Sequence, residues 1–238
     1  MDDRIRQKPQ LADRAMPARP SLAGIRMEPG QGAGSGVSRH EGGVDEGGEV
    51  AVLFARSDSH YKSIEGCDVF DIDRDARTWS GSCPVIAHPP CRAWGQLRKW
   101  AKPRPDEKEL APWAIEQVRR FGGVLEHPYR SSLWPVMGLP GVGERDAFGG
   151  WTLPIHQHWW GHRAEKRTKL YIVGIEPWEI PRIPLRLDEP THTIGLYSGR
   201  NRATCKPDLP KAEREHTHPQ LAAWLVELAR SCKAVRND

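Results

Sequence analysis

The chain has 238 residues, of which 38% are hydrophobic, and this composition suits one medium-sized domain with its own core and an additional tail. The five cysteines are scattered, and there is neither a signal peptide nor an apolar run near the length of a membrane span. These features exclude a disulfide-stapled secreted protein and predict a reduced, cytoplasmic one. The net charge of +4 is a mild bias toward polyanionic partners such as nucleic acid.

Residues 1–49 are rich in glycine and proline and contain almost no clustered apolar side chains. Such a stretch buries too little surface to offset its ordering entropy, so we predict a disordered tail. Residues 50–238 are then predicted to form one α/β domain. Within that domain, residues 175–238 are expected to be an irregular segment followed by a C-terminal helix.

The domain is predicted to begin with a buried parallel strand, residues 50–54, followed by a short helix and a second strand that ends at Asp71. A carboxylate just past the second strand of a β-α-β unit lies where doubly wound folds bind a ribose hydroxyl. However, the first turn of this unit, residues 55–59, contains no glycine. Asp71 is therefore either a cofactor contact or a solvated carboxylate at a strand end.

A third apolar run, residues 84–87, stops at the sequence His-Pro-Pro-Cys, residues 88–91. The two prolines stiffen this loop, so Cys91 is presented just past a strand end in a fixed geometry. Nucleophiles are commonly mounted in this way. The alternative is that Cys91 is a small apolar residue packed beneath a turn.

The segment after Cys91 is basic and aromatic, and it includes Arg92 and Trp94. Cations that meet phosphates, interleaved with rings that stack on bases, suit single-stranded or flipped nucleic acid. The alternative is a solvated loop with some of its tryptophans in the core.

A helix over residues 106–121 is predicted to lead into another apolar strand, which delivers Glu126 and His127 to its carboxyl end. Glu126 and Cys91 would thus follow neighbouring strands at the edge where open α/β sheets bind ligands. Residues 129–150 are predicted to be a surface loop. Two closing strands, residues 151–155 and 169–174, flank a run of basic and aromatic residues that suits an anionic substrate.

Three separated motifs resemble those of the DNA cytosine-5 methyltransferases. Residues 88–91 resemble the Pro-Cys nucleophile motif, residues 125–128 the Glu-Asn-Val motif, and residues 157–174 the Gln-x-Arg-x-Arg motif that runs into a closing strand. Asp71 lies where that family keeps an acidic cofactor residue. The chain is also similar to uncharacterised phage and prophage proteins built around the same His-Pro-Pro-Cys core.

The resemblance implies a Rossmann-like, class I methyltransferase-like fold, doubly wound around a mostly parallel sheet. It also implies transfer of a methyl group from S-adenosylmethionine to C5 of a flipped cytosine in DNA, in the host cytoplasm for a phage-encoded protein. The implied catalytic residues are Cys91, which attacks C6; Glu126, which donates to N3 with a pKa raised by burial; and Arg163 or Arg167, which hold O2 and a phosphate. The implied cofactor contacts are Phe54, Asp71 and Pro89, and the implied substrate contacts are Arg92, Trp94 and His127. Arg92 would also lower the pKa of the thiol.

The chain departs from the family in lacking the glycine-rich cofactor loop and the usual third strand, and in having Arg92 in place of glutamine after the cysteine. The 64 residues after Gly174 are too few for a large target-recognition domain, so sequence specificity would be slight or supplied by a protein partner. A non-methylating pyrimidine-modifying enzyme and a catalytically degenerate nucleic-acid-binding module remain open. So does a zinc site, drawn either from His88, Cys91 and His127 or from His156, His158 and His162.

Overall fold

A computed structural model of the chain describes residues 48–194 and 206–234. The predicted tail lies outside these residues except for its last two, so its disorder stays a prediction. The described strands are β1 Val50–Leu53, β2 Cys67–Phe70, β3 Val85–Ala87, β4 Gly123–Pro128, β5 Trp151–His156 and β6 Arg167–Val173. The described α-helices are α1 Glu107–Phe121, α2 Leu133–Met137, α3 Lys211–Glu215 and α4 Pro219–Ser231.

The six strands form one mixed sheet in the order β2-β1-β3-β4-β6-β5. The pairs β1–β2, β1–β3 and β3–β4 are parallel, whereas β6 is antiparallel to both of its neighbours. Five strands therefore run in one direction and β6 runs in the other. The predicted α/β class is confirmed, and the predicted neighbours β3 and β4 lie side by side.

The sheet is covered on both faces, which explains why β1 and β3 are apolar at every position. Val50 and Val52 belong to an apolar layer that contains α4, while Ala51 and Leu53 belong to a second layer that contains α1. All four side chains are fully buried. Alternate residues of a strand thus belong to different layers. The same alternation determines on which face of the sheet each polar side chain near the strand ends lies.

The amino-terminal edge of β4 is closed by direct backbone contact. Gly123 has φ 116°, and a Cβ placed there would lie 2.1 Å from the carbonyl oxygen of Val85. A Cβ on Gly174 would lie equally close to the carbonyl oxygen of Lys233, whose own amide donates to the Gly174 carbonyl at 2.8 Å. Only glycine fits such close approaches. Side chains that bind a ligand are therefore left to the opposite edge.

Two local predictions differ from the structure. The predicted helix after β1 is a single 3₁₀ turn, His60–Ser63, which buries Tyr61. The predicted surface loop 129–150 contains α2, in which Leu133 and Trp134 are buried; a five-residue helix is too short for hydrophobic periodicity to reveal it. Among the helices of residues 48–194 and 206–234, none has the length and apolar composition needed to cross a membrane.

Candidate active site

The candidate site lies at the carboxyl edge of the parallel strands, as predicted. Ala87 at the end of β3 lies opposite Leu125 in β4, so the next residues, His88 and Glu126, follow in register. The backbone amide of His88 donates to the carbonyl of Leu53 at 3.0 Å, which ties the loop to β1. Cys91, three residues further on, is exposed at the surface.

Four side chains from four segments form a continuous hydrogen-bonded network around Glu126. Nδ1 of His88 lies 3.2 Å from Oε2 of Glu126, and Nε2 of Gln157 donates to Oε1 at 3.1 Å. The other ring nitrogen of His88 lies 2.9 Å from the hydroxyl of Tyr61. Because a carboxylate only accepts, Nδ1 carries the proton toward Glu126, and in the neutral imidazole Nε2 accepts from Tyr61.

Glu126 is held as a carboxylate, contrary to the expectation that burial raises its pKa. Its side chain is only 13% exposed, and burial does act to raise the pKa. The hydrogen bond and charge of His88, together with the charge of Lys166, outweigh burial and lower the pKa from 4.5 to about 2. At neutral pH, Glu126 therefore offers acceptors to a ligand and no proton.

The Cys91 thiol is not activated by Arg92. Burial, and then the charge of Glu126, raise the pKa of Cys91 above its usual range, while Lys166 acts in the opposite direction. The guanidinium of Arg92 forms a two-pronged ion pair with Glu107, a fully buried carboxylate at the start of α1. The ion pair thus attaches the segment after Cys91 to α1 and occupies the guanidinium of Arg92. The prediction that Arg92 lowers the pKa of the Cys91 thiol is wrong.

Lys166 is the cation of the site, and the motif comparison did not single it out. Its half-buried ammonium donates to the carbonyl of His216 at 3.4 Å. Burial lowers the pKa of Lys166, while Glu126, Cys91 and Glu215 act to raise it. Lys166 therefore lies within electrostatic reach of both the predicted nucleophile and the predicted carboxylate.

The two arginines predicted for catalysis point elsewhere. Arg163 is bound by Glu213 through two hydrogen bonds of 2.7 and 2.5 Å at the surface. The Arg167 guanidinium lies 4.4 Å from the centre of the Tyr129 ring, on the face of β6 that Lys169 shares and that lies opposite Glu126. Both side chains are exposed. Neither is joined to Glu126 or Cys91 within the described residues.

The structure places Trp94 and His127 in the core rather than at a surface that a base could reach. Trp94 is 3% exposed, and its carbonyl accepts hydrogen bonds from Ser132. His127 is fully buried, and burial lowers its pKa to about 4. As the neighbour of Glu126 in a strand, His127 necessarily faces the other side of the sheet.

Two further polar residues near Glu126 were given no role from the sequence, although Gln157 begins the stretch that resembles the Gln-x-Arg-x-Arg motif. Gln157 and Thr168 are each 1% exposed, and both lie on the Glu126 side of the sheet. Oε1 of Gln157 and the hydroxyl of Thr168 are buried without a hydrogen-bond partner in the part of the chain described here. Since the amide of Gln157 is oriented by Glu126, its oxygen is a buried acceptor without a partner among the described residues, close to that carboxylate.

The predicted cofactor contacts lie at the ends of adjacent strands. Phe54 follows β1 with φ 62°, and its ring packs edge-on against Trp113 at 5.9 Å. Pro89 is buried after β3. Asp71, after β2, accepts from Lys62 at 2.6 Å and from the backbone amides of Asp73 and Arg74, and the Lys62 hydrogen bond lowers its pKa. Three of the four acceptor positions of this carboxylate are used, so one remains for a ribose hydroxyl.

The proposed zinc ligands are not assembled. His88 and His127 belong to opposite sides of the sheet, and His158 is occupied by the carbonyls of His162 and Asp188. Within residues 48–194 and 206–234 no group of three or more His, Cys, Asp or Glu side chains is arranged to hold a metal ion.

Comparison with known proteins identified no relative of this chain. No protein-family model matches the chain, and neither a curated protein nor a solved structure matches it. The function is therefore argued from the site alone.

Proposed function

We propose that the protein modifies a flipped pyrimidine in nucleic acid through Cys91, and that the reaction is methylation of cytosine C5 in DNA. The observation that carries the proposal is the combination of Cys91, Glu126 and Lys166 at one sheet edge: Glu126 and Lys166 both act on the pKa of the Cys91 thiol, and Lys166 also acts on the pKa of Glu126. A thiol, a fixed carboxylate and a partly desolvated ammonium are the groups that addition to a pyrimidine ring requires.

The chemistry assigns a separate task to each group. The Cys91 thiolate forms a bond to C6, and the electron pair displaced from the C5–C6 double bond is relieved by protonation at N3. C5 of the resulting enamine would attack the methyl group of the donor and displace its sulfur as a neutral thioether. The C5 proton would pass to the neutral amine that Lys166 becomes when it protonates N3; expulsion of the thiolate from C6 and release of the N3 proton to water would then restore the ring. Because Glu126 is ionised, it accepts from the exocyclic amino group and from N3–H once it is formed. Lys166, with its lowered pKa, is the proton source that the site itself supplies.

Base recognition is supported by the acceptors on either side of the reaction centre. Glu126 is acceptor-only, and Oε1 of Gln157 is an unused acceptor beside it. An acceptor-only carboxylate suits the hydrogens of a cytosine amino group and does not suit the carbonyl at the same position of uracil. Cytosine is therefore the substrate that these residues favour.

The arrangement of strands and helices is compatible with a Rossmann-like, class I methyltransferase-like domain. Helices lie on both faces of a sheet in which five strands run in one direction, and the polar residues gather at the carboxyl edge. In such a domain, S-adenosylmethionine would supply the methyl group. Phe54, Asp71 and Pro89 would contact it, with Asp71 sharing its last acceptor position with the ribose. The substrate DNA would be host or phage DNA in the cytoplasm, with a protein partner supplying target choice.

One observation favours a second function, a pyrimidine site without methyl transfer. Asp71 is already bound by Lys62 and by two backbone amides, and the turn after β1 is held by an ion pair between Arg56 and Asp58. A cofactor would have to adapt to both. In this second function, the Cys91 and Glu126 site binds or modifies a pyrimidine with another co-reactant.

Mass spectrometry of DNA digests tests the methylation proposal. DNA from cells that produce the wild-type protein is expected to contain 5-methylcytosine above background, and DNA from cells that produce Cys91→Ala is not. A second variant, Cys83→Ala, changes a half-buried cysteine outside the site and is expected to behave as wild type. Unmodified cytosine in the wild-type sample, with abundant folded protein, would contradict the proposal.

A further inference from the structure

The helix α3 lies across the candidate site, but its own residues contribute nothing to the core. None of the five residues of α3 is buried. Two of its carboxylates instead meet cations at the carboxyl edge: Glu213 binds Arg163, and Glu215 binds Arg56 at 3.3 Å. Immediately after α3, the carbonyl of His216 accepts from Lys166. Polar contacts with the site therefore hold α3 itself, while the buried Leu209 and the buried face of α4 anchor the chain before and after it.

One of these carboxylates, Glu215, lies near the proposed nucleophile. Glu215 contributes to the raised pKa of Cys91 and acts on the pKa of Lys166, so it lies within electrostatic reach of both. Arg56 belongs to the turn that follows β1, and Arg163 to the segment that leads into β6. The site lies at the carboxyl ends of β3 and β4. In the sheet, the strand next to Arg56, β1, lies on one side of this pair, and the strand next to Arg163, β6, lies on the other.

The geometry at Arg163 is the one that arginine also uses for phosphate. Its Nε and one terminal nitrogen donate to the two oxygens of Glu213, a fork that matches a phosphodiester equally well. A depression of about 330 Å³ adjoins this pair and is lined in part by His162, Arg163, Glu213, His216 and His218. That volume is within the range of sites that hold small organic ligands.

We propose that Glu213 and Glu215 occupy the positions of backbone phosphates, and that a single strand of DNA displaces α3 and binds Arg56 and Arg163 in its place. The carboxylates then act as an intramolecular substitute for the strand, and Glu213 keeps Arg163 oriented until the substrate arrives. Arg56 and Arg163 would then form the surface that binds the DNA strand next to the proposed pyrimidine site, so this inference rests on the proposed function.

The chain offers a matched control. Arg145 and Glu176 form another ion pair, with 40% of each side chain exposed, compared with 51% and 35% for Arg163 and Glu213. This pair lies beside Trp151 at the start of β5 and just beyond the end of β6, which is the opposite edge of the sheet. Changing either pair alters the net charge equally, so a non-specific charge effect on DNA binding would be the same for both.

The test is fluorescence anisotropy with a labelled single-stranded oligodeoxynucleotide that contains cytosines, without a methyl donor. Glu213→Gln is expected to tighten binding about tenfold, because the strand no longer competes with the carboxylate. Arg163→Gln is expected to weaken binding and to reduce the slope of log Kd against log salt by about 0.7, the worth of one phosphate contact on a single strand. Glu176→Gln and Arg145→Gln are expected to change Kd by less than about twofold.

Equal effects of Glu213→Gln and Glu176→Gln would overturn the inference, and so would equal effects of Arg163→Gln and Arg145→Gln, or no binding by any variant. Thermal melting of each variant verifies folding, which these surface changes are expected to preserve. Binding is measured without chemistry, so the absence of 5-methylcytosine in DNA digests would reject the methylation proposal and leave this result intact.

Discussion

Nδ1 of His88 lies 3.2 Å from Oε2 of Glu126, and this contact joins the loop that carries Cys91 to the strand that carries the carboxylate. Because the other ring nitrogen of His88 is bound to Tyr61, the imidazole is fixed from both sides. The reacting groups are therefore positioned by hydrogen bonds between elements far apart in sequence, and disturbing one of these bonds is expected to be felt by the others.

The depressed pKa of Glu126 predicts a pH dependence of stability. Because the pKa of the folded state, about 2, lies below the usual 4.5, Glu126 contributes stability above pH 4.5 that is lost as the pH falls toward 2. The loss corresponds to about 3 kcal/mol. Urea unfolding at several pH values is expected to show a shallower decline for Glu126→Gln than for wild type. Glu165→Gln, at an exposed carboxylate, is the control, and identical declines for wild type and Glu126→Gln would contradict the prediction.

Tyr61→Phe is expected to lower the free energy of unfolding by roughly 1 kcal/mol. Tyr61 is 1% exposed, and removing its hydroxyl leaves Nε2 of His88 without its partner. Chemical denaturation measures the change. The matched variant is Tyr129→Phe, at a half-buried tyrosine whose ring contacts Arg167 and Lys169. If both variants lowered the free energy of unfolding equally, the Tyr61–His88 hydrogen bond would not contribute to stability beyond the general effect of removing a tyrosine hydroxyl.

Cys91 is expected to form a covalent adduct with DNA that carries 5-fluorocytosine, in the presence of S-adenosylmethionine. Fluorine at C5 prevents the elimination step, so the enzyme remains bound to C6 and is seen as a shifted band in a denaturing gel. Cys91→Ser is expected to form no adduct, because an alcohol is a far weaker nucleophile than a thiolate. Cys83→Ser is expected to trap as wild type does. Trapping by Cys91→Ser at the wild-type level would reject this nucleophile.

Lys166→Met is expected to raise the pKa of the Cys91 thiol further, since Lys166 acts to lower it while burial and Glu126 act to raise it. The rate of alkylation by iodoacetamide, followed by mass spectrometry of the Cys91 peptide across a pH series, reports the thiolate fraction. The midpoint is expected at higher pH in Lys166→Met than in wild type. Lys99→Met removes an exposed cation of the basic loop and is expected to leave the midpoint unchanged.

Asp71→Ala is expected to weaken S-adenosylmethionine binding roughly ten- to a hundredfold, which is the worth of a hydrogen bond to a charged group. Isothermal titration calorimetry measures this change. Asp73→Ala, at an exposed carboxylate two residues away, is the control. If wild type itself shows neither heat nor a thermal shift at millimolar ligand, methyl transfer is removed as the function, and the Cys91 and Glu126 site remains as a pyrimidine site.

The location of the site could be predicted from sequence because strand ends have local signals. Apolar runs followed by proline marked the ends of β3 and β4, and their adjacency placed Glu126 near the Cys91 loop. One error was avoidable: Glu126 and His127 are consecutive in a strand, so both cannot face the same site. Successive side chains of a strand point to opposite faces of the sheet, and a motif match alone does not take this into account.

The remaining parts of the site had no local signal. Tyr61 and Gln157 join the network through contacts that span 27 and 31 residues of sequence, and such pairings depend on the folded topology. Which of Arg163, Lys166 and Arg167 lies near Glu126 and Cys91 depends on the residue at which β6 begins. The composition of this segment does not define that residue. The low pKa of Glu126 likewise depends on His88 and Lys166 converging on it, and burial alone predicted the opposite direction.

The absence of buried residues in α3 has a consequence for the timescale on which Arg163 becomes available to a strand. Exposed ion pairs stabilise a contact only weakly, so α3 is expected to detach without unfolding of the sheet. Its amide hydrogens are then expected to exchange with solvent long before those of α4, seven of whose residues are buried. An open form of this kind, populated on the order of 0.1–10%, lowers the apparent affinity for any strand by that same fraction. Affinity for DNA would thus be set in part by how rarely α3 opens.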